Sequence, residues 1–444
     1  ITGTVQISYV KERGGERSRL KGRAVVLFIT KKERQKMGDK QEKDEVFQGD
    51  YVQRDQAIRA LLRADENFDM LCREFVIGGK KSCCYSIDGF LDGSIIEKVM
   101  EFLYGMKEEE MPEDFAGFLR QQIPYVDVTV LQTKEDFVKA VLSGVSCFLV
   151  DGYHDMVALD LRDFPSRSVE EPDKDKVLRG SRDGFVEAIM PNAALIRRRI
   201  RDVNLVLSQQ VVGRSSRTDI AVCYMHGRVK EDVLQCITDK LAQIDIDSLT
   251  MNQESLAEAL FPKGWLNPFP KFKYTERPDT AAACLLEGSI VILIDNSSAA
   301  MIVPTSLFDI IEDANDYYFP PVTGTYLRLS RMLINLLAVF LTPVFILAMQ
   351  YPEYVPEAFS FIQIQDEMHI PPVVQLLILE VAIDGLRMAS VNTPSMLNTP
   401  LSIVAGIVFG DYTVNSGWFN SEIMLYMAFV AVANYTQSNM ELGY

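Results

Sequence analysis

The chain has 444 residues, enough for two or three domains, with 45 Lys and Arg against 61 Asp and Glu and a net charge of −16. That balance argues against a nucleic-acid binder, which would show a basic face. A mean hydropathy of +0.04 averages two unlike parts and describes neither: up to about residue 320 the sequence reads as soluble, and beyond it as apolar.

Residues 1–54 read as a weakly ordered extension, with one candidate strand at Val25–Ile29. Residues 1–50 carry 12 Lys/Arg and 8 Asp/Glu, mostly interspersed. They fit either a basic tail on anionic lipid or a solvated extension, and the second is favoured. No stretch has the apolar core of a secretory signal.

A first α/β subdomain is expected over 55–165. Gln56–Ala64 and Ser94–Gly105 place apolar residues at helical spacing. GGKK at 78–81 lacks the Gly-x4-Gly-Lys-Ser/Thr spacing of a phosphate loop and reads as a turn. After Pro124, YVDVTV alternates like a strand, Lys134–Ser143 returns to helix, and Cys147–Val150 and Met156–Leu161 read as two more strands. Residues 166–180, rich in Pro and charge, read as a linker.

A second α/β subdomain is expected over 181–321. Phe185–Arg201 reads as a helix interrupted near Pro191. Strands are expected at Asn204–Val212 and Thr218–Met225, and an amphipathic helix at Val229–Ile244. Pro278 opens a short helix, and Ser289–Asp295 and Ala300–Val303 form a hairpin. Arg197, Arg198, Arg199 and Arg201 cluster at the end of the first helix. Three readings stay open for them: a clamp for phosphate or carboxylate, an interdomain or subunit salt-bridge surface, or a solvated helix face.

Residues 322–444 read as a helical membrane domain. From Met332 to Met349 no residue is charged. A helix of that length covers roughly 27 Å, close to the ~30 Å hydrocarbon core of a bilayer. Arg328 and Arg331 precede it, which places the α/β region on the cytoplasmic side, and Tyr351 and Tyr354 follow it. Pro343 lies inside it, as a packing kink or a gate hinge. A polar loop, 352–369, leads to a second helix opened by Pro371 and Pro372. There Glu380, Asp384 and Arg387 fall within an arc of about 60°. Gly385 and Ala389 lie on the opposite, small-residue face, which permits close helix contact. The charged stripe reads as an ion-pair network, as a water-lined ion path or gate, or as the wet face of a helix lying in the interface. Beyond it, Pro394 and Pro400 bracket a turn, Leu401–Gly410 is too short to span alone, Asp411–Asn420 is a short polar connection, and another apolar segment starts at Ile423.

The seven cysteines lie before residue 285, form no CxxC and read as reduced thiols. The three histidines are far apart, so neither a metal site nor a cofactor is expected. With no phosphate loop, GxSxG or HExxH, an enzyme is not the expected reading.

Four stretches resemble one family: RGSRDGFVEAIMPNAALIRRRIRD (179–202), YTERPDTAAACLLEGSIVILIDNSSAAMIVP (274–304), LEVAIDGLRMASVNTP (379–394) and the sequence from 401 to 444. They are similar to the GerA family of spore germination proteins, the A-type subunits of nutrient germinant receptors. DGLRMA (384–389) and GWFNSEIMLYMAFVAVANYTQ (417–437) share the wording of one branch. The resemblance covers roughly residues 65–444.

It implies a multi-pass protein of the bacterial spore inner membrane with its two-part α/β region facing the spore core. It also implies a homo-oligomer, a pentamer, forming a channel that releases monovalent cations early in germination. Its partners would be membrane lipid, a small membrane protein and other receptor subunits. The alternative is a non-conducting scaffold that clusters germination receptors. The family pattern further leads one to expect more membrane helix after Tyr444, so that the membrane domain here is incomplete.

Overall fold

The computed structural model describes residues 48–123, 125–164, 180–262, 269–313, 316, 318–392, 403, 406 and 412–436. The expected extension before residue 48, the linker up to 179, the turn bracketed by Pro394 and Pro400, most of the run 401–410 and the last eight residues lie outside them.

Among the described residues, two five-stranded antiparallel sheets, with the helices packed on them, occupy the chain up to Val303. In the first unit, helix α1 (Tyr51–Leu62) precedes β1 (Met70–Ile77) and β2 (Lys80–Ile87). Then come α2 (Gly93–Tyr104), α3 (Phe115–Gln122), β3 (Val128–Leu131), α4 (Lys134–Leu142), β4 (Ser146–Val150) and β5 (Met156–Leu159). The strand order is β1-β2-β4-β5-β3. The second unit runs α5 (Ile189–Arg199), β6 (Leu205–Val212), β7 (Thr218–Met225), α6 (Glu231–Gln243), α7 (Asn252–Leu260), β8 (Lys273–Thr275), α8 (Pro278–Glu287), β9 (Ile290–Ile294) and β10 (Ala300–Val303). Its order, β6-β7-β9-β10-β8, is the same walk through the sheet. The two units therefore repeat one topology, helix by helix and strand by strand.

Both sheets are covered on both faces, so their inner strands read as continuous apolar runs. Every residue of β4, β5, β9 and β10 is buried. One face of the first sheet packs Ile58 of α1 and Phe137 and Val141 of α4 against Tyr85 and Leu149. The other packs Val99 and Leu103 of α2 and Phe118 of α3 against Phe148 and Val157. The second sheet repeats this arrangement: α5 and α8 cover one face, α6 and α7 the other. Burying a single Leu, Ile or Phe contributes about 1.5–3 kcal/mol, so these layers carry most of the stability of the α/β region.

In GGKK, Gly78 and Gly79 form the two-residue turn of the β1–β2 hairpin, at φ of +50° and +77°, and Lys80 and Lys81 open β2. Mirror-image turns of this kind need positive φ at both positions, which glycine adopts without strain. Pro191 does not interrupt its helix. The helix begins at Ile189, so Pro191 sits in the first turn, where no hydrogen bond is lost.

Beyond Val303 the described residues are mostly helical. After the single turn pair α9 (Leu307–Ile311), helix α10 runs unbroken from Pro321 to Gln350 through Pro343. Helix α11 spans Pro372–Asn392 and α12 spans Ser421–Tyr435. Phe345 of α10, Leu376 and Leu379 of α11, Phe419 just before α12, and Ile423 and Met427 within it form their common core. Among the described residues, one helix is long and apolar enough to cross a membrane: α10, with a mean hydropathy of 2.4 over its best window. Helix α11 has the length but carries three charges, and α12 has 15 residues.

Candidate functional site

The arginine cluster lies on the seam between the two units. Arg197 is 1% exposed and grips Asp69 with both Nε and Nη2, each at 2.8 Å. Its Nη2 also donates to Asn67 Oδ1 at 2.9 Å and its Nη1 to the Leu205 carbonyl at 3.0 Å. Backbone bonds reinforce the contact: Leu207 N donates to Asn67 Oδ1 and Phe68 N to the Leu207 carbonyl. The guanidinium of Arg198 lies 4.7 Å from the Phe164 ring centroid, and Arg201 donates to Ser143 Oγ. Ala194 of α5 belongs to the core of the first sheet and Phe68 packs onto that of the second. Each nitrogen of the Arg197 guanidinium thus donates to a partner inside the chain, and the buried side chain is not open to a free phosphate.

Arg199 points elsewhere. It donates to Asp183 and to Ser181 Oγ, in the segment leading into α5. That segment meets the start of α8. Arg277, fully buried just before Pro278, donates through Nε and Nη2 to Asp279 at 3.0 and 2.6 Å, and to the Ser181 carbonyl at 2.9 Å. Tyr318 donates its hydroxyl to the same Asp279. The ring of Tyr318 lies against Gly180, where a Cβ would come within 2.4 Å of it. Burial opposes ionisation of Asp279, but hydrogen bonds from Arg277 and Tyr318 outweigh it and hold the carboxyl below its ordinary value. Asp183, against burial, is held low in the same way by Arg199 and Ser181.

Tyr318 is three residues from Pro321, where α10 begins. The first turns of that helix are fixed to the preceding segment. Arg331 donates to Asp313 and Asp316 at 3.3 and 3.2 Å, and Arg328 lies 3.9 Å from Glu312. Gly324 lets the Asp316 carbonyl approach to where a Cβ would sit 2.4 Å away. The two arginines read from the sequence as flanking charge are therefore partnered. A polar joint links α5, α8 and the base of α10, built from Gly180–Asp183 and Glu276–Thr280, which are adjacent in space, with Ser181 and Arg277 96 residues apart.

On α11, Glu380 is exposed and Asp384 and Arg387 half-buried; Arg387 lies 5.8 Å from the Tyr435 ring centroid. Among the described residues neither Glu380 nor Asp384 has an ion-pair partner. Gly385 has nothing within 4 Å of its added Cβ, and Ala389 is half-buried. In α10, Asn335 has both side-chain polar atoms shielded without a hydrogen-bond partner. The start of α11 is tied to the start of α12 by a reciprocal pair: Gln375 Nε2 donates to Asn420 Oδ1, and Asn420 N donates to Gln375 Oε1, both at 2.9 Å.

Sequence reasoning did not find Asp69, Arg277, Asp279 or Tyr318. For the seam a signal existed: Arg197 falls four residues after Ala193 and three before Ile200, on the apolar stripe of α5. For Tyr318 there was none. The cysteines are unpaired, and burial pushes the Cys72 thiol up to about 11 and that of Cys84 to about 12.

A model of the Bacillus/Clostridium GerA spore germination protein matches residues 56–444. Stage V sporulation protein AF of Bacillus subtilis (strain 168) is 34% identical over 378 residues, 85% of this chain and 76% of that protein; its branch is the one whose wording 384–389 and 417–437 share. Spore germination protein GerLA of Bacillus cereus is 28% identical over 377 residues, 83% of this chain and 76% of that protein. The N-terminal domain of the A subunit of the Bacillus megaterium spore germinant receptor GerK3 aligns with a TM-score of 0.44 and 23% identity, over 58% of this chain and 95% of that one. With the family match running across most of its length, the chain belongs to the GerA family of spore germination proteins.

Proposed function

We propose that the chain is a membrane subunit of an oligomeric cation channel that promotes ion release during spore germination. Its α/β units face the spore core, and its apolar helices lie in the inner membrane. The observation that carries this reading is helix α10. Its most apolar 18-residue window is only 6% buried by the rest of the chain, so lipid or other subunits must cover it. Beside it stands α11, with Glu380, Asp384 and Arg387 on one stripe. Charge at that depth costs on the order of 3 kcal/mol per group on insertion scales unless it meets water or a partner. A water-filled path between copies provides that water, and acidic groups along it favour cations. Gly385 and Ala389, on the opposite face of α11, would let neighbouring helices approach closely. A homo-oligomer, a pentamer by family resemblance, working with a small membrane partner follows from the same reading.

The test is potassium flux from loaded liposomes carrying the full-length protein, with and without its membrane partner. Flux that disappears when α10 is disrupted supports the channel. Sealed liposomes holding inserted, oligomeric protein would instead favour the scaffold.

A further inference from the structure

We infer that the end of the helical region far from the α/β units is a lipid-interface rim, in which segment 352–369 lies in the headgroup boundary with Phe359, Phe361 and Trp418 turned into the bilayer. This rests on the reading above that α10 crosses a membrane. The polar loop and short polar connection read from the sequence also carry apolar rings, and the structure shows where those rings stand.

Segment 352–369 is folded back onto the helices by two 3-10 turns, Pro352–Tyr354 and Glu357–Ile362. Ile362 and Ile364 pack against the cluster that holds Phe345 and Met349 of α10 and Leu379 of α11. Those α10 residues lie within the uncharged run 332–349, so the segment sits at the depth of its last turns. Phe359 and Phe361 stand beside each other on the outside, ring centroids 6.5 Å apart, and Phe361 is 66% exposed. Trp418 belongs to the same end, because the Gln375–Asn420 pair ties its segment to the first turn of α11, and Gly417 lies against the His369 ring. It too is exposed, as are Val344 and Leu347 on the last turns of α10.

The rings therefore continue the uncovered apolar face of α10. Left in water, large rings of this kind would forfeit the favourable free energy of leaving it. At a bilayer boundary the same rings occupy the level that aromatic side chains favour. Residues 351–371 hold Glu353, Glu357, Asp366 and Glu367 and no Lys or Arg. That composition suits the side away from the cytoplasm, with the carboxylates in water and the rings below them.

The test uses the full chain in vesicles of phosphatidylethanolamine and phosphatidylglycerol. Trp265 and Trp418 are changed to Phe, and one new reporter is introduced, either Phe361→Trp or Phe340→Trp. Lipids brominated near the headgroup should quench the Trp placed at 361, and lipids brominated near the chain ends should quench the Trp placed at 340. Quenching at 340 without quenching at 361 overturns the rim but leaves the span intact. Loss of quenching at 340 overturns the span itself. A photoreactive phenylalanine analogue at 361 gives a second readout in the otherwise native chain. Lipid adducts are expected, whereas cross-linked dimers would show that a second copy covers this face and would also overturn the rim.

Discussion

Asp69 and Arg197, 128 residues apart, form a fully buried two-point ion pair across the boundary between two units of identical topology. Charge buried this deeply is stabilising only while its partner is present. Arg197→Met leaves the buried Asp69 carboxylate without its guanidinium, while Asn67 Oδ1 keeps the Leu207 N–H, and should cost about 3–5 kcal/mol. Replacing both members, Asp69→Leu with Arg197→Met, removes the stranded charge and should recover most of that loss. Denaturant unfolding of the full chain in detergent, followed by near-UV circular dichroism, measures both variants. An Arg197→Met protein as stable as its parent would show that the apolar contacts of Ala194 and Phe68 hold the seam alone.

The joint at the base of α10 makes a separate prediction. Tyr318→Phe deletes one hydrogen bond to a carboxylate, a change worth about 1.5–3 kcal/mol. Gly180→Ala does more. Gly180 has φ of +116°, a conformation other residues adopt only with strain, and the new methyl would meet the Tyr318 ring. Hydrogen exchange over the segment leading from Ile311 into α10 should quicken in Tyr318→Phe and more so in Gly180→Ala. The strands of the first sheet, which contribute no residue to the joint, should exchange as before. Equal exchange in all three proteins would mean that Tyr318 does not hold the helix base.

Much of the α/β region was legible because its strands are buried on both faces. IVILI (290–294) and AMIV (300–303) can be read at once from their unbroken apolar runs. The β1–β2 hairpin was harder. Strand β1 is an edge strand in which Arg73 and Glu74 sit beside Phe75, so neither alternation nor a continuous run marks it. The repeated topology left no trace of repetition in sequence: α1, YVQRDQAIRALL, and α5, IMPNAALIRRR, occupy equivalent places with unlike residues. Layer packing demands apolar residues at set intervals and is indifferent to which ones, so two units can share an order of elements without sharing wording. The arginine run was visible as charge, but which arginine turned inward depended on partners at Asn67 and Asp69. The Asp279–Tyr318 contact joins residues 39 apart with no local pattern between them.

Acid should loosen the joint in a definable direction. Asp279 and Asp183 are both held below their ordinary values in the folded chain, despite burial, by Arg277 with Tyr318 and by Arg199 with Ser181. A carboxyl with a lowered folded-state value stabilises the fold above its unfolded-state value, near 4 for Asp. That stability is lost as pH falls through the folded-state value. Thermal unfolding of the full chain should therefore be insensitive to these groups at neutral pH and fall steeply below about pH 4. Asp279→Asn cannot lose a proton, so its curve should start lower at neutral pH and flatten in acid. Parallel curves for the two proteins would count against Asp279 as an acid-sensitive contact.

The last prediction separates the two faces of α11. Glu380 and Asp384 lie on a stripe that, in the channel reading, borders water, while Gly385 and Ala389 lie on the face that admits a close neighbour. Changes on the first face should act on ion flow and changes on the second on assembly. Glu380→Lys reverses a charge where acidic groups favour cations, and should cut potassium flux by about tenfold or shift selectivity toward anions. Glu380→Gln, which only neutralises, should do less. Gly385→Leu adds bulk where helix backbones would approach and should lower the fraction of oligomer in detergent while leaving the α/β units folded. Liposome flux and sedimentation on the same preparations report the two effects independently. If Glu380→Lys altered assembly and left the flux per oligomer unchanged, the stripe would be a subunit contact, and the conducting path would have to be sought on α10.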